Sequence, residues 1–129
     1  MARILLVEDD IDVRPLMQHI LSAAGYEVTA VETVTNALKL IGAQPFDLII
    51  TDANLPDGSG LKVADAAAAA GLKALVITGH GLSLQPGSLA AYDYLLKPLR
   101  PHELVEAIRK RLAPKDGDAD VIPLPKRPT

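Results

Sequence analysis

Five short β-prone runs, each followed by a helix-forming or turn-forming stretch, constrain this chain more than any other feature. Residues 3–7, 27–31, 47–51, 74–77 and 93–96 are predicted as strands. The first, Ile4-Leu5-Leu6-Val7 after Arg3, is continuously apolar, the pattern of a strand covered on both faces. Helical spacing predicts a helix over residues 11–24, with Ile11, Leu16, Met17, Ile20 and Leu21 on one side and Gly25 as its stop. Pro15 is expected near the second turn of that helix, starting or bending it. Thr33 or Thr35 is expected to cap a helix carrying Ala37, Leu38 and Ile41 and ending near Gly42. An alanine-rich helix is predicted over residues 61–70, stopped by Gly71. A last helix starts at Pro101, with Leu104, Val105, Ile108 and Leu112 on one face.

Two stretches break the pattern. Residues 53–60 are dense in turn formers and predict a loop. Residues 79–91 hold Pro86 and Gly87 and show weak periodicity, so a loop with at most a short helix over 88–91 is expected there. The fold class that follows is α/β: a doubly wound, five-stranded parallel sheet of (βα)5 type with helices on both faces and a short or degenerate fourth helix. At this size the flavodoxin-like strand order 2-1-3-4-5 is expected, with its switch point between strands one and three.

A length of 129 residues fits one domain with a real core, which must be aliphatic because the chain has one Phe, three Tyr and no Trp. With no cysteine, disulfides and cysteine-held zinc are excluded. A net charge of −3 gives no global field toward nucleic acid or anionic lipid. No apolar stretch approaches the length of a membrane span, and Met1-Ala2-Arg3 leads directly into a strand without the layout of a signal peptide. Residues 1–113 therefore read as one domain of a cytoplasmic protein. Residues 114–129, with Pro114, Pro123, Pro125 and Pro128, read as a disordered proline-rich tail too short and polar to be an effector domain.

Four of the five runs end on a residue able to handle phosphate. The first leads into Glu8-Asp9-Asp10, the third into Asp52, the fourth into Thr78 and the fifth into Lys97-Pro98. The carboxyl ends of strands in such a sheet face one crevice, so these side chains are expected to converge. Two carboxylates about 4 Å apart repel by roughly 4 kcal/mol at an effective dielectric near 20, a conflict that a divalent cation removes. Hard oxygen ligands suit Mg²⁺ or Mn²⁺. An aspartate there can act as nucleophile and form an aspartyl phosphate, with Lys97 and Thr78 serving the phosphoryl oxygens.

These residues resemble the receiver domain of two-component response regulators. The matching stretches are Ile4 to Asp10, Asp52 to Gly60, Val76 to Gly79 and Asp93 to Pro98. The resemblance implies that Asp52 is the phosphoacceptor, that Glu8 and Asp9 are the acidic pair, and that the Asn54 carbonyl is the third protein ligand to Mg²⁺. Asp10 is the alternative to one of that pair. Lys97–Pro98 is implied to be a cis peptide, Tyr94 the switch aromatic, and Asn54 and His80 the positions that tune phosphoryl lifetime. The implied partners are a sensor histidine kinase or a histidine phosphotransfer protein, and an output protein. The spacings from Asp52 to Thr78 and from Thr78 to Lys97 are a few residues short of the family pattern, which places the fourth-helix region in question. Met1 argues mildly for a stand-alone receiver over a cut-out domain.

Three other classes fit less well. A receiver-fold interaction module not regulated by phosphorylation would not need the intact set of Asp52, Thr78 and Lys97. A flavodoxin would need a phosphate-cradling loop where Glu8-Asp9-Asp10 stands. A haloacid-dehalogenase-type phosphatase would place an acid at position 54, where this chain has Asn54.

Overall fold

The computed structural model describes residues 2–79 and 92–112. In chain order the elements are β1 (Arg3–Val7), α1 (Val13–Ala23), β2 (Glu27–Val31), α2 (Val34–Ala43), β3 (Leu48–Asp52), β4 (Asn54–Leu55), β5 (Gly58–Ser59), α3 (Gly60–Ala69), β6 (Lys73–Thr78), β7 (Tyr94–Leu96) and α4 (Pro101–Leu112). Five of the strands form one parallel sheet in the order β2-β1-β3-β6-β7. Leaving out the two-residue strands β4 and β5, this is the expected 2-1-3-4-5 order, with β1 and β3 side by side at the switch point.

Side chains alternate across each strand, and the alternation builds two cores. Ile4 and Leu6 of β1 join Leu48 and Ile50 of β3, Leu75 and Ile77 of β6, Met17 and Leu21 of α1, and Leu104 and Ile108 of α4. Leu5 and Val7 join Ile49, Val34 and Ala37 of α2, and Val63 and Ala67 of α3 on the opposite face. The unbroken apolar runs of β1 and β3 are thus the consequence of helices on both sides.

Several boundaries differ from expectation. Asp10 Oδ1 accepts hydrogen bonds from the N–H groups of Asp12 and Val13, so α1 starts at Val13 and Ile11 lies in the turn before it, 76% exposed. The inward stripe of α1 is Val13, Met17 and Leu21 at four-residue spacing, and Leu16 is turned out, 58% exposed. Pro15 falls in the first turn, not the second, where its missing N–H leaves no intrahelical partner unmatched. Thr33 is the cap of α2, accepting from Asn36 N at 3.1 Å; Thr35 is not. Leu38 points outward. The helix runs past Gly42 to Ala43 and stops at the extended Gln44, whose successor Pro45 disfavours helical backbone before it. Residues 54–59 were expected as loop, but Asn54 pairs with Ser59 and Leu55 with Gly58 in a small antiparallel hairpin. Its register follows from burial of Leu55 against α2 and α3. The expectations for residues 80–91 (the fourth helix and His80) and for the tail after residue 112 lie outside the described residues.

Candidate functional site

Glu8, Asp9, Asp52, Thr78 and Lys97 sit at the carboxyl edge of the sheet because their strands end there. The Glu8 N–H bonds to Val31 O at 3.0 Å, extending the β1–β2 ladder by one step. That step carries the Glu8 side chain into the fold, and the residue is only 3% exposed. Asp9 is exposed, and Asp52 is partly buried as the last residue of β3. One carboxylate oxygen from each of Glu8, Asp9 and Asp52 lies within 4.8 Å of the others.

Lys97 answers this negative charge. Its Nζ lies 3.1 Å from Asp52 Oδ2 and 3.4 Å from Glu8 Oε1. Its backbone is held by the bond that Lys97 N donates to Thr78 O at 2.7 Å. The Lys97–Pro98 peptide is cis. Burial works against the Lys97 ammonium, but the hydrogen bond and charge of Asp52, with those of Glu8, outweigh it and hold its pKa above the usual lysine value. Burial raises the Glu8 pKa, opposed by the hydrogen bond from Asp10 N; the Asp52 charge raises it further and Lys97 lowers it.

Asp10 stands apart. Its carboxylate is engaged by the first turn of α1, and these backbone N–H bonds, Val13 first and then Asp12, lower its pKa. The acid triplet thus divides into two residues of the carboxylate cluster and one whose side chain bonds the backbone at the start of α1.

Thr78 is fully buried at the end of β6, and its hydroxyl has no hydrogen-bond partner among the described residues. Asn54 sits two residues past Asp52, its N–H on Asp52 Oδ1 at 3.3 Å. Tyr94 is on the edge strand β7 and 42% exposed, so it stands in an outward position.

Residues beyond the expected set also shape the pocket. Gly60 N donates to Ala53 O at 2.8 Å, and a Cβ at Gly60 would sit 1.8 Å from Asp52 O, so glycine is what allows α3 to start against the end of β3. Ser59 caps α3 by accepting from Leu61 N. Arg14 Nη1 donates to Glu8 O at 3.2 Å and to Glu32 Oε2 at 3.1 Å, bracing the acidic loop from α1. Asp57 binds the start of α2. Ser59 before an apolar stretch is a readable cap signal. The pairs of Arg14 with Glu32 and of Asp57 with α2 span 18 to 23 residues and leave no local signature.

The donor set is all oxygen, anionic and open on the Asp9 side, which fits a hard divalent cation such as Mg²⁺. The response regulator receiver domain family matches residues 4–109. The chain belongs to that family. The receiver is 38% identical over 117 residues to the response regulator receiver protein CpdR of Brucella abortus, covering 87% of this chain and 98% of CpdR. It is 30% identical to the response regulator protein PilR of Pseudomonas aeruginosa, spanning 95% of this chain but 29% of PilR. Among solved structures it is similar to TrrA of Thermotoga maritima, crystallised with Mg²⁺-BeF and also with the histidine kinase ThkA. The TM-score is 0.77 in both cases, at 32% and 33% identity, over 87% and 88% of this chain and all of TrrA. No helix among the described residues is long and apolar enough to cross a membrane.

Proposed function

We propose that this receiver takes a phosphoryl group from a phosphohistidine onto Asp52 in a two-component phosphorelay and signals through altered protein contacts. The observation that carries the reading is the single Lys97 ammonium shared between Asp52 and Glu8 within the three-carboxylate cluster. The Glu8, Asp9 and Asp52 carboxylates and the Asn54 carbonyl would hold Mg²⁺, with Mn²⁺ as a substitute. The cation supplies charge neutralisation where an anionic nucleophile meets an anionic phosphoryl group.

An Asp52 carboxylate oxygen attacks phosphorus as the phosphorus–nitrogen bond to the donor histidine breaks, and the imidazole leaves with the bonding pair. The Lys97 ammonium moves from the Asp52 carboxylate to a phosphoryl oxygen, and the buried Thr78 hydroxyl donates to another. The pull on Thr78 vacates the space behind it, and Tyr94 turns from its exposed position inward. This is a two-state element biased by a local charge event. Asn54 and His80 tune how long the acyl phosphate survives water. The phosphodonor is a sensor histidine kinase or a histidine phosphotransfer protein, as the ThkA complex of TrrA supports. The output partner is another protein, contacted in the cytoplasm without direct binding to nucleic acid or membrane.

Intact mass after incubation with a small acyl phosphate and Mg²⁺ tests this. One phosphoryl group is expected on the wild type, and none without the cation or in Asp52→Asn. Lys97→Ala should keep some uptake while losing the conformational response. Labelling of Asp52→Asn to the wild-type level overturns the assignment.

A further inference from the structure

The hairpin that follows the phosphoacceptor is anchored by a carboxylate with no part in the chemistry above. Asp57 lies at the turn between β4 and β5, yet its partners belong to the first turn of α2. Oδ1 accepts from Val34 N at 2.8 Å, and Oδ2 accepts from Thr35 N at 3.0 Å and from the Thr35 hydroxyl at 2.7 Å. The helix's own cap, Thr33, serves only Asn36 N. Two of the orphan N–H groups at the start of α2 are therefore satisfied by a residue more than twenty positions away. These bonds, first that of Thr35 N, then the Thr35 hydroxyl and Val34 N, hold the Asp57 carboxyl at about 2, so it is ionised at neutral pH.

The rest of the hairpin shows what this anchor secures. Its base is tied to the sheet: Ala53 N donates to Ile77 O at 2.9 Å and Gly60 N to Ala53 O at 2.8 Å. Its tip, among the described residues, is hydrogen-bonded to the rest of the fold through the Asp57 side chain alone, with Leu55 supplying a non-directional apolar contact. Two-residue strands do not order themselves. Asn54 lies between the base and the tip. A ligand atom on a segment that must be ordered at the moment of binding loses affinity to that ordering, and groups that fix ligands beforehand restore it.

We propose that Asp57 is a positioning residue for the divalent cation: by clamping the hairpin tip to α2 it presets the segment carrying the Asn54 carbonyl. The clamp rests on the reading of Glu8, Asp9, Asp52 and Asn54 as the cation site. It also makes α2 a party to that site, so the cation and the first turn of α2 are coupled in both directions.

Calorimetric titration of the full chain with Mg²⁺ alone, at neutral pH, tests the clamp. Asp57→Ala should bind Mg²⁺ about tenfold more weakly than wild type, the lower end of what loss of a supporting residue does to a metal site. Asp57→Asn, which keeps an acceptor oxygen and guards against a folding defect in the alanine variant, should fall between the two. Thr33→Ala removes the other cap of α2 without touching the hairpin, and should stay within about twofold of wild type. In the wild type the Val34 and Thr35 amide resonances should move on Mg²⁺ addition. Wild-type affinity in Asp57→Ala, or an equal loss in Thr33→Ala, overturns the clamp and leaves the cation site standing. Wild-type affinity in Asp52→Asn overturns the cation site itself.

Discussion

Replacing Gly60 by alanine puts the geometry at the end of β3, where Asp52 stands, to a direct test. A Cβ at this position would lie 1.8 Å from the Asp52 carbonyl oxygen, 2.8 Å from its carbonyl carbon and 2.9 Å from Thr51 Oγ1. Two of the three obstacles are backbone, so no flexible side chain can give way. Ordinary carbon–oxygen contact requires the gap to open by roughly 1.5 Å. The end of β3 resists that movement: Asp52 is paired with Ile77, and Ala53 N is bonded to Ile77 O. Overpacking of this kind typically costs 1–3 kcal/mol, and a clash with fixed backbone belongs at the upper end, about 3 kcal/mol. For a domain of this size that lowers Tm by roughly 10 °C. Displacement of Asp52 by about 1 Å should also slow phosphoryl uptake by about 100-fold. Gly42→Ala is the matched control: it lies inside α2, nothing stands within 4 Å of its Cβ, and its φ is not positive. It should stabilise by about 0.5–1 kcal/mol, a rise in Tm of a few degrees. Circular-dichroism melts and time-resolved intact mass read both variants. Wild-type melting and labelling in Gly60→Ala, or shifts of the same sign in the two variants, would refute the reasoning.

The buried Thr78 hydroxyl lacks a partner among the described residues, so the isosteric Thr78→Val should leave the unphosphorylated receiver as stable as wild type or about 1 kcal/mol more stable, by urea titration, while abolishing the inward movement of Tyr94 on phosphorylation. A large destabilisation would show that the hydroxyl is already satisfied. The Asp57 carboxyl is held at about 2 in the fold, so the unfolded chain binds more protons as pH falls from about 4. Its contribution to stability is therefore complete above about pH 4 and lost as pH falls toward about 2. Asp57→Asn should melt below wild type at pH 7, with the difference closing across that acid window; a difference independent of pH would assign the effect to something other than the charge.

The order of elements and the edge of the sheet that matters were legible in the chain, because each rests on local signals. Continuous apolar runs identify doubly covered strands, and Glu8, Asp9, Asp52, Thr78 and Lys97 each follow directly from a strand end. The parallel topology then leaves them one side on which to meet. Local signals misled where two readings share a pattern. Ile11 and Leu16 fit the apolar spacing of a helix, yet α1 begins at Val13 and turns Val13, Met17 and Leu21 inward. Segment 54–59 has the composition of a loop, yet it forms a hairpin whose Leu55 packs with α2 and α3 and whose Asp57 bonds to the first turn of α2.

By itself, then, the sequence determined that the strands are buried on both faces and that acid, hydroxyl and ammonium groups terminate them. Tertiary structure decided which acid of the triplet is diverted to the start of α1, that one lysine bridges two carboxylates, that α3 starts against the end of β3 at Gly60, and that Asp57 bonds to the first turn of α2. The physical reason is range. Strand and cap preferences act over a few residues, whereas a shared ammonium, a backbone contact or a cross-chain cap exists only after folding has brought distant residues within about 3 Å.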